Sequence, residues 1–372
     1  MRFVCNLDWV EFYCKFDPFS IESGGYVSPL VAIAPRHDYS AVLRPYGTRV
    51  YKYICDVSYH GRPLMTICYE PLSKISEGGI MDDRMCHVKL DNEWCYNDGW
   101  ADVFITALRS FRIKPIRPAR LDIAADLQHF ECGMPASVLA SGLMTRRYYK
   151  IHQSNWRANG NDASELSWNS LAFGSKSSPV FTRFYNKSLE LRQGKDKQYI
   201  RECWESAGLD TSHDVWRVEF ALTDTGKQVI DSETGECFDI AISDIDTHDK
   251  VTALFCYYAQ HYWDIRKVEG DKRRYDCKRL SMFPSTPNQF LPVQRPHYSS
   301  CTRTDRLVLN RLAESLYVED DMGARYAIIR AIESYQHMKR VVVWNEGALR
   351  AMRDFVFGDP QAQDLPTRDP YS

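Results

Sequence analysis

The sequence predicts an α+β fold, with an antiparallel or mixed sheet as its core, flanking helices and a mostly helical C-terminal region. Apolar residues that alternate with period two, as in Val215–Leu222, indicate strands, and apolar residues at helical spacing, as in Gly99–Phe111, indicate helices. These segments follow one another without the regular strand–helix–strand order of a doubly wound sheet. The chain has 372 residues, which corresponds to about two or three domains.

The first predicted element is a hairpin at Val50–Pro71, in which two alternating strands flank the turn residues His60–Pro63. Six further segments are assigned in the same way from periodicity and from the positions of proline. In chain order they are a strand region at Met85–Tyr96, the helix at Gly99–Phe111, a proline-containing connector at Ile113–Ala119, a short strand at Arg120–Leu127, a helix at Pro135–Arg147 and an extended segment at Tyr148–Trp156.

A second hairpin is predicted at Ser167–Leu191, because the turn-rich segment Gly174–Pro179 separates two apolar runs. A helix follows at Asp196–Ala207, and Gly208 stands where a glycine commonly ends a helix. Val215–Leu222 then alternates as a strand.

The composition changes after about residue 240, which suggests a domain boundary. We expect a domain at 1–240, a helical and partly basic region at 241–357 and a flexible tail at 358–372. Within the second region, helices are predicted at His248–Ile265, Asp305–Tyr317 and Ala324–Arg340, and a linker with four prolines at Phe283–Pro296.

Composition excludes several classes of protein. The 47 basic and 49 acidic side chains give a net charge of −2, which excludes a uniformly basic binder but allows a local basic stripe. No apolar run reaches the roughly 18 residues of a membrane span, and the N-terminus lacks the apolar stretch of a signal peptide. We therefore expect a cytoplasmic protein with no membrane partner. None of the 12 cysteines forms a C-x-x-C pair, so a zinc ribbon is not expected.

Two aspartates lie on one predicted strand. Asp122 and Asp126 share a face of Arg120–Leu127, because side chains of a strand alternate. Carboxylates on one face repel each other unless a cation or donor lies between them, and Mg²⁺ or Mn²⁺ prefers such oxygen ligands. A salt bridge with Arg120 is the structural alternative.

Arg183, Tyr185 and Lys187 share one face of a second predicted strand. Neighbouring cations favour a phenolate, and a tyrosine between two cations can attack a phosphate and retain it as an ester. The alternative is a tyrosine that only packs, since this residue is common in strands. Glu219 shares a face with Arg217 on a third strand, and it is either a third metal ligand or half of an exposed ion pair.

The segment Ile265–Leu280 carries seven basic and three acidic residues. It fits contacts with a phosphate backbone, and a solvated face is the alternative. The residues that we expect to contact DNA are Lys267, Lys272, Arg273, Arg274, Lys278 and Arg279. A phosphate-binding G-x-x-x-x-G-K-[ST] loop and a His-hydrophobic-His pair are both absent from the sequence.

Taken in order, these segments resemble the replication initiation factor (Rep-trans) family, which contains rolling-circle plasmid initiators and related relaxases of conjugative elements and phages. The matching pieces are Leu7–Phe12, Ala119–Asp126, Leu171–Ser175, Arg183–Glu190 and Trp216–Phe220. Each piece is short, but their order and spacing agree over roughly residues 5–225. The final third of the chain has no matching motif.

The resemblance implies a metal-dependent nickase that cleaves one DNA strand at an origin, which is a hairpin or a single strand, and forms a 5′-phosphotyrosine link. It implies Tyr185 as nucleophile, Lys187 and Arg183 as cations that stabilise the phosphate, and Asp122, Asp126 and Glu219 as ligands of Mg²⁺ or Mn²⁺. Asp8 lies in a matching strand. A host helicase and a second copy of the chain are the partners implied by analogy.

Two alternatives remain at this point. One is a non-catalytic DNA-binding protein for replication or regulation on the same fold. The other is a metal-dependent hydrolase unrelated to DNA that uses the same three carboxylates. Steep loss of DNA affinity with salt would separate the DNA-binding proteins from the hydrolase.

Overall fold

A ten-stranded antiparallel sheet forms the centre of the structure. The structure is a computed structural model that describes residues 2–17, 38–72, 84–151, 156–160, 168–194, 197–231, 237–285, 290–291, 311–312, 315 and 321–339. Its strands are β1 (Phe3–Phe16), β2 (Tyr39–Leu43), β3 (Tyr51–Tyr59), β4 (Arg62–Pro71), β5 (Met85–Leu90), β6 (Ile113–Leu127), β8 (Trp156–Gly160), β9 (Trp168–Phe173), β10 (Val180–Asn186) and β11 (Trp216–Leu222). Their order across the sheet is β2-β3-β4-β5-β1-β6-β11-β10-β9-β8.

Two small sheets accompany the large one. Their strands are β7 (Tyr148–Lys150), β12 (Gln228–Asp231), β13 (Cys237–Asp239), β14 (Ile265–Lys267) and β15 (Phe290–Leu291). One small sheet has the order β13-β12-β15, and the other pairs β14 with β7. The described helices are α1 (Trp100–Ser110), α2 (Ala136–Met144), α3 (Lys187–Gln193), α4 (Gln198–Ser206), α5 (His248–Tyr262) and α6 (Met322–Lys339). This mixture of helices with a large antiparallel sheet confirms the predicted α+β class.

The chain divides into two compact units, Met1–Val293 and Gln294–Asp369. The boundary expected at residue 240 falls inside the first unit, because α5 packs in the same hydrophobic core as β1 and β6. The predicted tail 358–372, and most of 283–296 and 305–317, lie outside the described residues. Among the described helices, none combines the length and apolar composition that a membrane span requires.

Each face of the sheet has its own hydrophobic cluster. On one face, α1 and α5 pack against alternate residues of the central strands, including Leu7, Val10 and Ile123. On the other face, α3 and α4 contribute a smaller cluster that contains Leu191, Ile200 and Trp204 together with Val4 and Val215. The candidate site lies on this second face.

The predicted hairpin at Val50–Pro71 is confirmed by the pairing of β3 with β4. His60 and Gly61 occupy the turn with φ of 48° and 77°, the left-handed conformations that a tight hairpin turn requires.

Strand β6 differs from the expectation at its start. Ile113–Ala119 forms the first half of a 15-residue strand instead of a connector. The pairing with β1 shifts next to Pro115 and Pro118, and such bulges accommodate proline because the strand does not need its missing N–H there. The second hairpin also ends earlier than expected: Asn186 accepts a hydrogen bond from the backbone N–H of Leu189 and begins helix α3.

Candidate active site

The three strands that carry the predicted site residues lie side by side, as β6, β11 and β10. Asp126 lies opposite Arg217, and Arg217 lies opposite Tyr185 on the next strand. Two residues along, Glu219 lies opposite Arg183. Because residues directly opposite each other in a sheet share a face, the sequence segments meet on one face as their alternation predicted.

Tyr185 is bonded to a carboxylate. Its hydroxyl donates a hydrogen bond of 2.9 Å to Oε2 of Glu219, and the whole residue is only 7% exposed. Burial, followed by the negative charge of Glu219, raises the pKa of Tyr185 well above its ordinary value. At neutral pH the phenol is therefore protonated, and Glu219 is the acceptor nearest to its proton.

Arg183 holds the other oxygen of the same carboxylate. Its Nε donates to Oε1 of Glu219 at 3.1 Å, and its Nη2 bonds the same oxygen. The guanidinium of Arg183 and the ammonium of Lys187 each lie 5.5 Å from the ring centre of Tyr185. The side chain of Arg183 is 39% exposed and that of Glu219 is fully buried. Among Tyr185, Glu219 and Arg183, it is therefore Arg183 that reaches solvent.

Lys187 is the first residue of α3, and its side chain is almost fully buried. Its Nζ lies 2.6 Å from Oε2 of Glu190, one helical turn further on. Burial lowers the pKa of Lys187, and the nearby charge of Arg217 lowers it further. The lysine therefore shares the tyrosine's surroundings but already has a carboxylate partner.

Asp122 is buried and forms a salt bridge with Arg120, which the sequence suggested as the alternative to a metal site. The Nε and Nη2 of Arg120 donate to its two oxygens at 2.9 and 2.5 Å. The pKa of Asp122 is nonetheless raised to about 7, first by burial and then by the negative charge of Glu219, against the opposing effect of Arg120. The charge of Glu219 thus disfavours the ionised form of Asp122.

Asp126 belongs to a second, fully buried ion pair. Nε and Nη2 of Arg217 each donate to one of its oxygens at 2.6 Å. Trp204 of α4 donates to Oδ2 at 2.7 Å. Both oxygens of Asp126 are therefore occupied by donors that come from two other elements.

Arg217 also reaches β1. Its Nη1 donates to Oδ1 of Asp8 at 2.6 Å, and its Nη2 donates to the hydroxyl of Tyr96, which in turn donates to Asp8. Although burial opposes the shift, Arg217 and then Lys187 lower the pKa of Asp8 below its usual range. The sequence suggested an exposed Arg217–Glu219 pair as one alternative, and this was wrong: both side chains are buried, and each pairs with other strands.

Two of the three predicted carboxylates, Asp122 and Glu219, are candidate ligands for a divalent cation. Within the described residues, no group of three or more His, Cys, Asp or Glu side chains is arranged to hold a metal ion. Asp122 and Glu219 fit the chemistry of such a cation, because their mutual repulsion would be relieved by a positive charge between them. Both oxygens of all three carboxylates accept hydrogen bonds. The arginines bound to Asp122 and Glu219 are 37% and 39% exposed, whereas Arg217, which binds Asp126, is fully buried.

The predicted basic segment lies elsewhere in the same compact unit. It begins with β14, which pairs with β7 outside the large sheet. Several of its charges have local partners: Lys272 pairs with Glu269 at 2.8 Å, and Arg279 lies 3.5 Å from Asp264. The remaining predicted residues of this segment, Lys267, Arg273, Arg274 and Lys278, are exposed.

Comparison with known proteins finds similarity among solved structures. No protein-family model and no curated protein matches this chain. A rolling circle replication initiator protein from Geobacillus stearothermophilus is similar in structure, with 18% sequence identity and a TM-score of 0.45, over 75% of this chain and 92% of that one.

Proposed function

We propose that this protein is a replication initiator or relaxase that nicks one DNA strand through Tyr185. The observation that carries the proposal is the hydrogen bond of 2.9 Å from the Tyr185 hydroxyl to Glu219. It pairs an oxygen nucleophile with a proton acceptor, and Arg183 orients that acceptor from its other side. A nucleophile, a base and a residue that orients the base form the arrangement that covalent catalysis requires. The ordered resemblance to the Rep-trans family supports DNA as the substrate.

In the proposed reaction, the Oη of Tyr185 attacks the scissile phosphorus while its proton passes to the carboxylate of Glu219. The Oη–P bond forms as the P–O3′ bond breaks, and the departing 3′ oxygen takes up a proton from solvent. The products are a 5′-phosphotyrosine ester and a free 3′-hydroxyl that can prime synthesis.

Arg183 and Lys187 place positive charge next to the reacting phosphate, where it stabilises the charge that develops in the transition state. Because Arg183 is more exposed than Tyr185 and Glu219, we propose that the phosphate enters the site next to Arg183. Mg²⁺ or Mn²⁺, held by Asp122 and Glu219, would polarise the phosphate. Asp126 fixes Arg217, which lies opposite Tyr185 on the neighbouring strand, and acts through it.

The test is a nicking assay on a supercoiled plasmid that carries the cognate origin. Tyr185→Phe should abolish nicking and leave origin binding nearly intact, because it removes one oxygen and retains the ring. Tyr275→Phe is the matched control, since Tyr275 is 68% exposed. A Tyr185→Phe variant that nicks at the wild-type rate would exclude this residue as nucleophile.

Two observations favour a second function, a DNA-binding replication or regulatory protein without nuclease activity. Tyr185 is only 7% exposed, and each of the three predicted acidic ligands is paired with an arginine. Binding of the cognate origin without cleavage in either Mg²⁺ or Mn²⁺ would support this second function.

A further inference from the structure

A second set of residues lies on the same sheet face as Asp122, on strands β5, β1 and β6. Glu11 of β1 lies between Lys89 of β5 and Arg120 of β6. One step further along the strands, Tyr13 lies between His87 and Arg117, and Lys15 lies opposite Lys114. We call the five cations Lys15, Lys89, Lys114, Arg117 and Arg120 the basic face.

The alternation of these strands directs the basic face away from the main core. The residues between its members, including Val10, Phe12, Cys14, Val88 and Leu121, are buried in the core cluster on the opposite side of the sheet. Lys114 and Arg117 are exposed, and the other three cations are half-buried.

Among the described residues, the acidic neighbours of this surface are Glu11, which pairs with His87 at 3.3 Å, Asp122, which pairs with Arg120, and Asp91, whose charge acts on Lys89. The five cations of the basic face outnumber these three carboxylates. Lys15 and Lys114 lie on directly opposite residues of β1 and β6.

Aromatic rings hold several of these cations. The Nζ of Lys89 lies 3.1 Å from the ring centre of Trp9, and the guanidinium of Arg120 lies 4.6 Å from the same ring. Arg117 lies 5.4 Å from the ring centre of Tyr13. A ring orients a cation without neutralising it, so the charges of Lys89 and Arg117 remain available to an anionic ligand, whereas Arg120 is already paired with Asp122.

We propose that the basic face binds the phosphate backbone of single-stranded DNA on one side of the scissile phosphate. The inference rests on the proposed function, because the face adjoins Asp122 through Trp9, which lies directly opposite it. From Asp122 to Lys114 the strand extends for about 26 Å at about 3.3 Å per residue. A row of cations with interleaved aromatic rings is the surface chemistry that suits a single strand.

The test measures the salt dependence of binding to a fluorescein-labelled, mixed-sequence single-stranded oligonucleotide. The double variant Lys114→Ala with Arg117→Ala removes the two exposed cations of the basic face. Each lost phosphate contact should reduce the slope of log affinity against log salt by about 0.7, so the double variant should lose about 1.4 of that slope. Lys114→Arg with Arg117→Lys preserves both charges and should keep the wild-type slope.

A matched control removes the same charge from outside the basic face. Arg62→Ala with Lys250→Ala removes one arginine and one lysine whose side chains are 50% and 48% exposed, and it should leave the slope unchanged if the basic face carries the strand. An unchanged slope in the Lys114 and Arg117 double variant, or a wild-type protein without salt-sensitive binding to the oligonucleotide, would overturn the proposal.

Binding is measured in chelator with the Tyr185→Phe variant as background, so that cleavage does not contribute. A reduced slope together with unimpaired nicking by Tyr185→Phe would refute the nucleophile and retain the basic face. An unchanged slope together with abolished nicking would do the reverse.

Discussion

The hydroxyl of Tyr185 donates its hydrogen bond to Glu219, which lies on the neighbouring strand and on the same sheet face. The two residues are joined diagonally: Tyr185 lies directly opposite Arg217, and Glu219 lies directly opposite Arg183. One carboxylate therefore has two partners, because it accepts the hydrogen bond of the tyrosine on one oxygen and binds an arginine on the other.

Glu219→Gln should therefore impair nicking and spare DNA binding. An amide retains the size of the side chain but is a far weaker proton acceptor, and loss of a general base costs about 100- to 10,000-fold in rate. Single-turnover cleavage of an origin oligonucleotide measures the effect. Glu190→Gln is the matched control, because Glu190 pairs with Lys187 and its side chain is 53% exposed. Equal rates for the two variants would contradict the role of Glu219.

Arg217→Ala should destabilise the fold strongly. Removal of this side chain leaves Asp126 buried without its cation, and an uncompensated buried charge costs about 3–5 kcal/mol. Urea unfolding measures the free energy. The matched control is Arg192→Ala, which breaks the exposed pair with Asp214 and should cost no more than about 1 kcal/mol. A smaller loss for Arg217→Ala than for the control would contradict the structural role of this network.

The stability of the protein in chelator should fall as pH rises from about 4 to about 7, through Asp122. The pKa of this carboxyl is about 7 in the folded protein and about 3.9 in an unfolded chain. Between these values the unfolded chain has released a proton that the folded protein still binds, so rising pH favours unfolding, by up to about 1.4 kcal/mol per pH unit. Above pH 7 this contribution is constant.

Asp122→Asn removes this titration and supplies the comparison. The melting temperature of the variant relative to wild type should rise between pH 5 and 7, roughly the window set by the two pKa values. Addition of Mg²⁺ at pH 8 should stabilise wild type and leave Asp122→Asn nearly unchanged, because the cation offsets the repulsion between Asp122 and Glu219. A parallel pH dependence for both proteins, or equal stabilisation by Mg²⁺, would count against a cation at this carboxylate.

Local sequence pattern was sufficient to predict the strands that carry the site residues and the sheet face that these residues share. Period two alone placed Asp122 with Asp126 and Arg183 with Tyr185, and the structure has both pairs on one side of the sheet. The first half of β6 was missed because two prolines argue against a regular strand, and only the partner strand determines where a bulge can accommodate them.

The ion pairs between residues distant in sequence could not be predicted from local pattern. Arg217 binds Asp126 and Asp8 across 91 and 209 residues of sequence, and the Trp204 bond to Asp126 spans 78. Such contacts depend on which strands become neighbours, and alternation does not fix strand order. The basic face was missed for the same reason, since its cations are scattered over three strands instead of forming a run.

The most direct test of the central claim identifies the residue that becomes joined to DNA. A single-stranded origin oligonucleotide is incubated with the protein and Mg²⁺, the covalent adduct is digested with a protease, and the DNA-linked peptide is sequenced by mass spectrometry. The account predicts a phosphodiester link on Tyr185 in wild type and no adduct in Tyr185→Phe. An adduct on any other residue, or nicking with no covalent adduct, would contradict it.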